Sequence, residues 1–264
     1  MRGSADIRFE KWEGAGNDFV LIEAGDLPTT RPPSEWARVL CPRRTAVGAD
    51  GLLVIDGGQA DYWNADGSPA GFCGNGARCV ARYLLERDQR ERVDFRMGAV
   101  AVRGWREADE IAVGVPAPGS PEPVEAEALL GDRAVEVEEA FRIEAGVPHL
   151  LLRCAHAPSG ALLAAAPELR GAVAGGTNVD LTWTDEGGSI RLRTFERGLP
   201  AETHACGSGV LAAARYWAGG TGALSIVTQG GARLRVEIRD EGWMLQGPAR
   251  RIFRAATGPG GTID

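Results

Sequence analysis

The chain has little of what a nucleic-acid or membrane protein needs. Its 264 residues carry 29 Lys and Arg against 36 Asp and Glu, a net charge of −7. No basic run and no basic stripe interleaved with aromatics occurs, which argues against a nucleic-acid surface. No stretch approaches the roughly 20 apolar residues of a membrane span. The opening MRGSADIRFE lacks an apolar core and a cleavage site, so a signal peptide is not expected. The three histidines, His149, His156 and His204, form no ligand pair. Cys73 and Cys79 lack C-x-x-C spacing, so no metal is expected. The five cysteines, Cys41, Cys73, Cys79, Cys154 and Cys206, are an odd set without tight spacing. A cytoplasmic chain with reduced thiols, acting on a small molecule, is the expectation.

What is present is glycine, proline and short β-rich runs. Thirty-seven glycines and fifteen prolines punctuate segments such as FVLIEA, GLLVID, EIAVGV, AVEVEE, HLLLRC and GWMLQG, which alternate in part with period two and read as strands. Helical patterns are few: PSEWARVLC, Gly74 to about Arg87, ALLAAAPELR, and Gly207 to about Trp217. The length suits one large domain or two of about 100–150 residues. A Pro/Gly/Glu-rich stretch near Pro116–Glu127 is the natural boundary between a half of residues 1–117 and a half of residues 118–250. An α/β (α+β) fold of two similar halves, each a sheet around one principal helix, fits the count.

The halves share a phrase. FCGNGARCVARY (72–83) and ACGSGVLAAARY (205–216) both obey C-G-x-G-x-x-x-x-A-R-Y, with Cys73 and Cys206 standing 133 residues apart. In each copy a cysteine precedes a Gly-x-Gly that opens an apolar helix. A helix start offers unpaired N–H groups and a positive dipole end. It favours a carboxylate, and it can lower a thiol pKa from about 8.5 into the range of about 3.5–7.5. Two such starts, brought face to face, would hold one carboxylate with a sulfur on either side of its α-carbon. One thiolate removes the α-proton and the opposite thiol returns one, an inversion that needs no cofactor. A lone cysteine is ordinarily a small buried hydrophobe, and Cys41, Cys79 and Cys154 keep that reading. A disulfide switch between Cys73 and Cys206 is the other alternative.

At these residues the sequence resembles the diaminopimelate epimerases, which work without pyridoxal phosphate in lysine and peptidoglycan precursor synthesis. The similarity extends through GAGNDFVLIEA (14–24), VGADGLLVI (47–55), NADGSPAGFCGNGARC (64–79), PHLL (148–151), TNVD (177–180) and FERGLPAETHACGSG (195–209). The resemblance implies two pseudo-symmetric domains, each a barrel-like, mostly antiparallel sheet around a central helix, with a C-terminal strand (about 251–264) returning to the first. It implies catalytic roles for Cys73 and Cys206, and proton-handling support from His149 and Glu196. Gly74, Asn75, Gly207 and Ser208 match the groups that hold the reacting carboxylate. Asn17, Asn64, Asn178, Glu196 and Arg197 match those that fix the distal amino-acid head. It further implies no cofactor and a homodimer. Arg197 suits a carboxylate and Glu196 an ammonium, whereas an Asn in NADGS is often only a turn former.

The chain also departs from the pattern. Val147 stands where relatives have Asn in Gly-Asn-Pro-His, Trp12 and Glu13 stand where Met and His are usual, and the loop from Glu196 to Cys206 is one residue longer than the shorter family form. Interconversion of LL- and meso-diaminopimelate is the expected activity. The rivals are a two-thiol racemase of another amino acid, such as histidine, and a catalytically silent amino-acid-binding protein.

Overall fold

The computed structural model describes residues 7–172, 175–199, 201–218, 222–239 and 242–256. The chain divides into two compact units, residues 1–113 with 248–264, and residues 114–247.

In the first unit, β1 (Arg8–Gly14) pairs antiparallel with β2 (Asn17–Glu23). Helix α1 (Pro33–Leu40) then leads to β3 (Gly51–Asp56), parallel to β2, and β3 turns into antiparallel β4 (Gln59–Asn64). After the short β5 (Pro69–Ala70) comes α2 (Gly74–Arg87), then β6 (Arg92–Met97) parallel to β4, antiparallel β7 (Val100–Glu107) and β8 (Glu110–Val115). The final described strand, Arg250–Ala256, lies antiparallel to β1; the expected return strand's remaining residues, 257–264, lie outside the described residues.

The second unit repeats this order of pairings. After β9 (Glu122–Pro123) and α3 (Ala126–Leu130), β10 (Val137–Glu144) pairs antiparallel with β11 (Pro148–Cys154). Helix α4 (Gly160–Ala165) leads to β12 (Asn178–Thr184), parallel to β11, and β13 (Ile190–Phe195) runs antiparallel to β12. Helix α5 (Gly207–Trp217) leads to β14 (Gly222–Thr228), parallel to β13, followed by antiparallel β15 (Arg233–Arg239) and β16 (Gly242–Gly247). The fold is a sheet-rich α/β architecture with few helices. Two sequence expectations need correcting: AVEVEE begins as a 3-10 turn over Gly131–Glu136, with the strand starting at Val137, and ALLAAAPELR is α-helical only to Ala165, followed by a 3-10 turn over Glu168–Gly171.

Each sheet is covered on both faces, which explains strands that read as continuous apolar runs. In the first unit Val20, Ile22, Leu52 and Val54 pack with Trp36 and Leu40 of α1. Helix α2 lies against β1, β2, β6 and β7, and every residue from Gly74 to Ala81 is buried. In the second unit Leu150, Leu152, Val179 and Leu181 pack with Leu162 and Ala165 of α4, while α5 contacts β11 to β15. Because side chains alternate across a strand, the residues between those leucines and valines belong to the face that meets α5. There the sequence places polar groups, His149, Asp180, Thr182 and Thr194, all buried. The indole of Trp217 in α5 donates to Thr182 Oγ1 at 2.9 Å.

The repeated Ala-Arg-Tyr has an architectural role. Arg82 donates to the Ala249 carbonyl at 2.6 Å, and Arg215 to the Gly119 carbonyl at 3.3 Å. The Tyr83 hydroxyl donates to Glu23 on β2, and that of Tyr216 to Glu139 on β10.

Gly104 of β7 lets α2 approach: a methyl there would stand 2.5 Å from Ala81 Cβ. Gly104→Ala should therefore lower stability by about 1–3 kcal/mol through overpacking. Ala81→Gly in the same chain should recover part of that loss, so denaturation of the four variants of a double-mutant cycle should show non-additivity. Additive costs would contradict the contact.

Candidate active site

A helix buried all round cannot leave its first-turn N–H groups to water, so something in the chain must accept from them. Sulfur does so in both units. Cys73 is the N-cap of α2 and its Sγ accepts from Gly76 N–H at 3.3 Å; Cys206 is the N-cap of α5 and its Sγ accepts from Gly209 N–H at 3.4 Å. Gly74, Asn75, Gly207 and Ser208 are the first helical residues, and all four are buried. Cys73 is partly exposed, whereas Cys206 is only 4% exposed.

Around the start of α2 the polar groups form a chain with a fixed direction. Arg78, fully buried, can only donate, and its Nη2 meets Asn75 Oδ1 at 2.7 Å. Asn75 Nδ2 consequently donates to Asn17 Oδ1, and Asn17 Nδ2 donates to Asp50 Oδ2 at 2.9 Å. A cation and a carboxylate at the two ends thus settle how both amides are turned. Behind Asp50 stand Arg43 at 2.6 Å and the cluster of Asp18, Arg43 and Lys11. Burial would raise the Asp18 carboxyl, but hydrogen bonds from Arg43 and Lys11 bring it down to about 2. Asn64 sits in the turn before Ser68, its Nδ2 donating to Ser68 Oγ at 3.0 Å. Its strand partner is Gly51, next to Asp50.

The second unit gathers a different set. Thr203 folds back on Thr194, donating N–H to its carbonyl at 3.1 Å, which returns the Glu196–Thr203 loop to the sheet just before Cys206. Burial pushes the Glu196 carboxyl up to about 7, against the lowering influence of neighbouring Thr203, His149 and Cys206. A helix start alone favours a thiolate, yet burial first, then the Glu196 and Asp180 carboxylates, hold the Cys206 thiol well above its ordinary range. The bonds from Ser208 and Gly209 pull the other way without prevailing. Burial and the neighbouring carboxyl groups thus favour the thiol form of Cys206 beside Glu196. Because the two groups interact, their titration belongs to the pair.

His149 lies on β11 opposite Asn178 of β12. Its Nδ1 meets Asp180 Oδ2 at 2.6 Å, and Asp180 Oδ1 accepts from the Thr194 hydroxyl at 2.7 Å. Asn178 Oδ1 accepts the Arg197 backbone N–H at 2.8 Å, and the exposed Arg197 guanidinium donates to the Gly175 carbonyl at 2.9 Å. Among the described residues no group of three or more His, Cys, Asp and Glu side chains is arranged to hold a metal ion, and no helix is long and apolar enough to cross a membrane. Sequence reasoning assigned no role to Asp50, Arg78, Asp180 or Thr194. For Arg78, Asp180 and Thr194 the available signal was a charged or polar residue inside an otherwise buried helix or strand; Asp50 lies just before β3.

Solved structures share this architecture. A PhzF-family phenazine biosynthesis protein from Enterococcus faecalis matches with a TM-score of 0.71 at 16% identity, covering 96% of this chain and 99% of that one. A hydroxyproline epimerase from Agrobacterium vitis, solved with bound trans-4-hydroxy-L-proline, matches with a TM-score of 0.70 at 14% identity, over 97% and 93%. The fold is thus shared with these proteins, and in this chain a cysteine caps the central helix of each unit.

Sequence relatives narrow the class. The diaminopimelate epimerase family model matches residues 9–115. A diaminopimelate epimerase of Archaeoglobus fulgidus is 34% identical over 94% of this chain and 95% of its own length. One of Methanopyrus kandleri is 35% identical over 94% and 88%. The chain belongs to the diaminopimelate epimerase family and is an isomerase.

The raised Glu196 carboxyl has a consequence for stability. The unfolded chain releases this proton near the ordinary 4.5, while the folded chain keeps it to about 7. Over that window the folded state binds more protons, so its stability falls as pH rises and levels off above it. Melting curves should show Glu196→Gln gaining on the native chain from pH 4.5 to 7 and no further above. A gap independent of pH would contradict a carboxyl held neutral.

Proposed function

We propose that this chain epimerises diaminopimelate at one α-carbon, converting the LL to the meso form with Cys73 and Cys206 as the two acid–base groups. The observation that carries the reading is the sulfur cap at the start of a buried helix in each unit. One sulfur takes the α-proton as thiolate while the other, as thiol, gives a proton to the opposite face. Helix-start N–H groups at Gly74, Asn75, Gly207 and Ser208 stabilise the negative charge that develops on the substrate carboxylate. The two relatives described above, both diaminopimelate epimerases, support this substrate.

In this reading Glu196 exchanges a proton with Cys206, and Asn17, Asn64, Asn178, Glu196 and Arg197 receive the distal amino-acid head. The orientation of Asn178, fixed by the Arg197 N–H, turns its Nδ2 donor away from Arg197 and suits it to a carboxylate. Val147, half-exposed in β11's approach, supplies no amide there. Another amino acid is the second reading that this position favours.

Incubation with LL-diaminopimelate in D₂O should give the meso isomer with deuterium at one α-carbon, and histidine should exchange none. Absence of exchange on diaminopimelate would defeat the substrate assignment, and exchange on histidine alone would transfer it. Arg197→Ala should weaken binding by about 2–5 kcal/mol, as expected for loss of a charge-assisted pair, read as a raised KM. Arg197→Lys should recover little, because an ammonium cannot reproduce the planar fork. An unchanged KM in Arg197→Ala would remove Arg197 from the distal pocket.

A further inference from the structure

The buried face of the second sheet holds a carboxylate that the proposed reaction does not yet use. Asp180 is 0% exposed, and among the described residues its two oxygens meet His149 Nδ1 and the Thr194 hydroxyl. Helix α5 closes over it so tightly that a methyl on Gly209 would stand 2.7 Å from Asp180 Oδ1. A buried carboxylate in such surroundings is costly unless its partners satisfy it.

The contact bears on where the imidazole proton sits. A carboxylate only accepts, so opposite an Asp180 carboxylate the hydrogen belongs on His149 Nδ1. In neutral His149 the lone pair is then on Nε2. That atom is buried and has no hydrogen-bond partner among the described residues. Leaving a buried polar atom unsatisfied is costly, so this one points to a group supplied from outside the resting chain. His149 is also close enough to Glu196 for a charge on the ring to lower that carboxyl's pKa.

We propose that Asp180 is a positioning residue for the reaction: it holds His149 as the Nδ1–H tautomer, anchored in turn by Thr194, so that Nε2 is the atom that exchanges a proton with the bound substrate or thiol. When Nε2 takes a proton, Asp180 stays ionised and stabilises the imidazolium across the Nδ1 bond. The titratable groups gathered here are His149 from β11, Asp180 from β12, Glu196 after β13 and Cys206 at the start of α5. The assignment rests on the epimerase reading for its kinetic consequences but not for the tautomer.

The first test needs no activity. Nitrogen-edited NMR of the native chain, assigned with His149→Gln, should show a protonated Nδ1 in a strong hydrogen bond. A neutral ring protonated at Nε2 would overturn the proposal. The second test is a cycle of Asp180→Asn, His149→Gln and the double variant, each checked for folding by its melting curve. Asp180→Asn keeps the side chain's shape and removes the charge. It should lower kcat by about 10²-fold or more with little change in KM, and should move the acid limb of the kcat profile. In the His149→Gln background the same change should cost almost nothing. Full additivity would show a merely structural Asp180 and overturn the proposal. Should Asp180→Asn fail to fold, Thr194→Val serves instead, with a smaller kcat loss that also vanishes without His149. A native chain that exchanges no α-proton on diaminopimelate would defeat the epimerase reading, whereas an active native chain with additive variants would defeat only this one.

Discussion

A helix start that is buried must have its N–H groups satisfied by the chain or by a ligand, and in both units the chain offers one sulfur for the third of them. That constraint ties the fold to the chemistry. The sheet wraps the helix because the central strands are buried on both faces; wrapping the helix excludes water from its first turn; and the excluded turn then favours an anion that brings its own acceptors. An ordinary serine or aspartate cap would satisfy the same N–H. Cysteine satisfies it more weakly and leaves a group that can give or take a proton.

Different polar groups gather at the two helix starts. At α2 a line of directed hydrogen bonds runs from Arg78 through Asn75 and Asn17 to Asp50, and the line orients both amides. At α5 two carboxyl groups, Glu196 and Asp180, raise the Cys206 thiol in addition to burial. A two-base inversion needs one sulfur charged and the other protonated at the same moment. Surroundings that raise the Cys206 thiol fit the protonated half of that requirement.

Much of this was legible in the sequence because it depends on local patterns. The two Cys-Gly-x-Gly segments mark helix starts by small residues and a following apolar run, and α2 and α5 begin at Gly74 and Gly207 as expected. The Ala-Arg-Tyr that completes the repeat is there for the fold, since Arg82 and Arg215 hold backbone carbonyls and Tyr83 and Tyr216 hold strand glutamates. Asp50 and Asp180 lay within quoted motifs, yet their roles escaped notice. Their partners, Asn17 and His149, stand 33 and 31 residues away, and only strand pairing brings each pair together. The helix-start argument for a lowered thiol pKa also failed at Cys206, because desolvation and two carboxyl groups are invisible in a linear reading. The 3-10 start of AVEVEE was hidden for a similar reason: its alternation is real, but the chain is still turning at Glu136.

The central claim is that the sequence states Cys-Gly-x-Gly twice in order to supply one base for each face of an α-carbon. The most direct measurement uses diaminopimelate analogues with a leaving group on the β-carbon, since elimination requires proton abstraction but no reprotonation. Cys73→Ala and Cys206→Ala should both lose epimerisation, and each should eliminate from only one α-configuration, opposite in the two variants. Elimination from the same configuration by both, or near-normal epimerisation by either, would contradict the account.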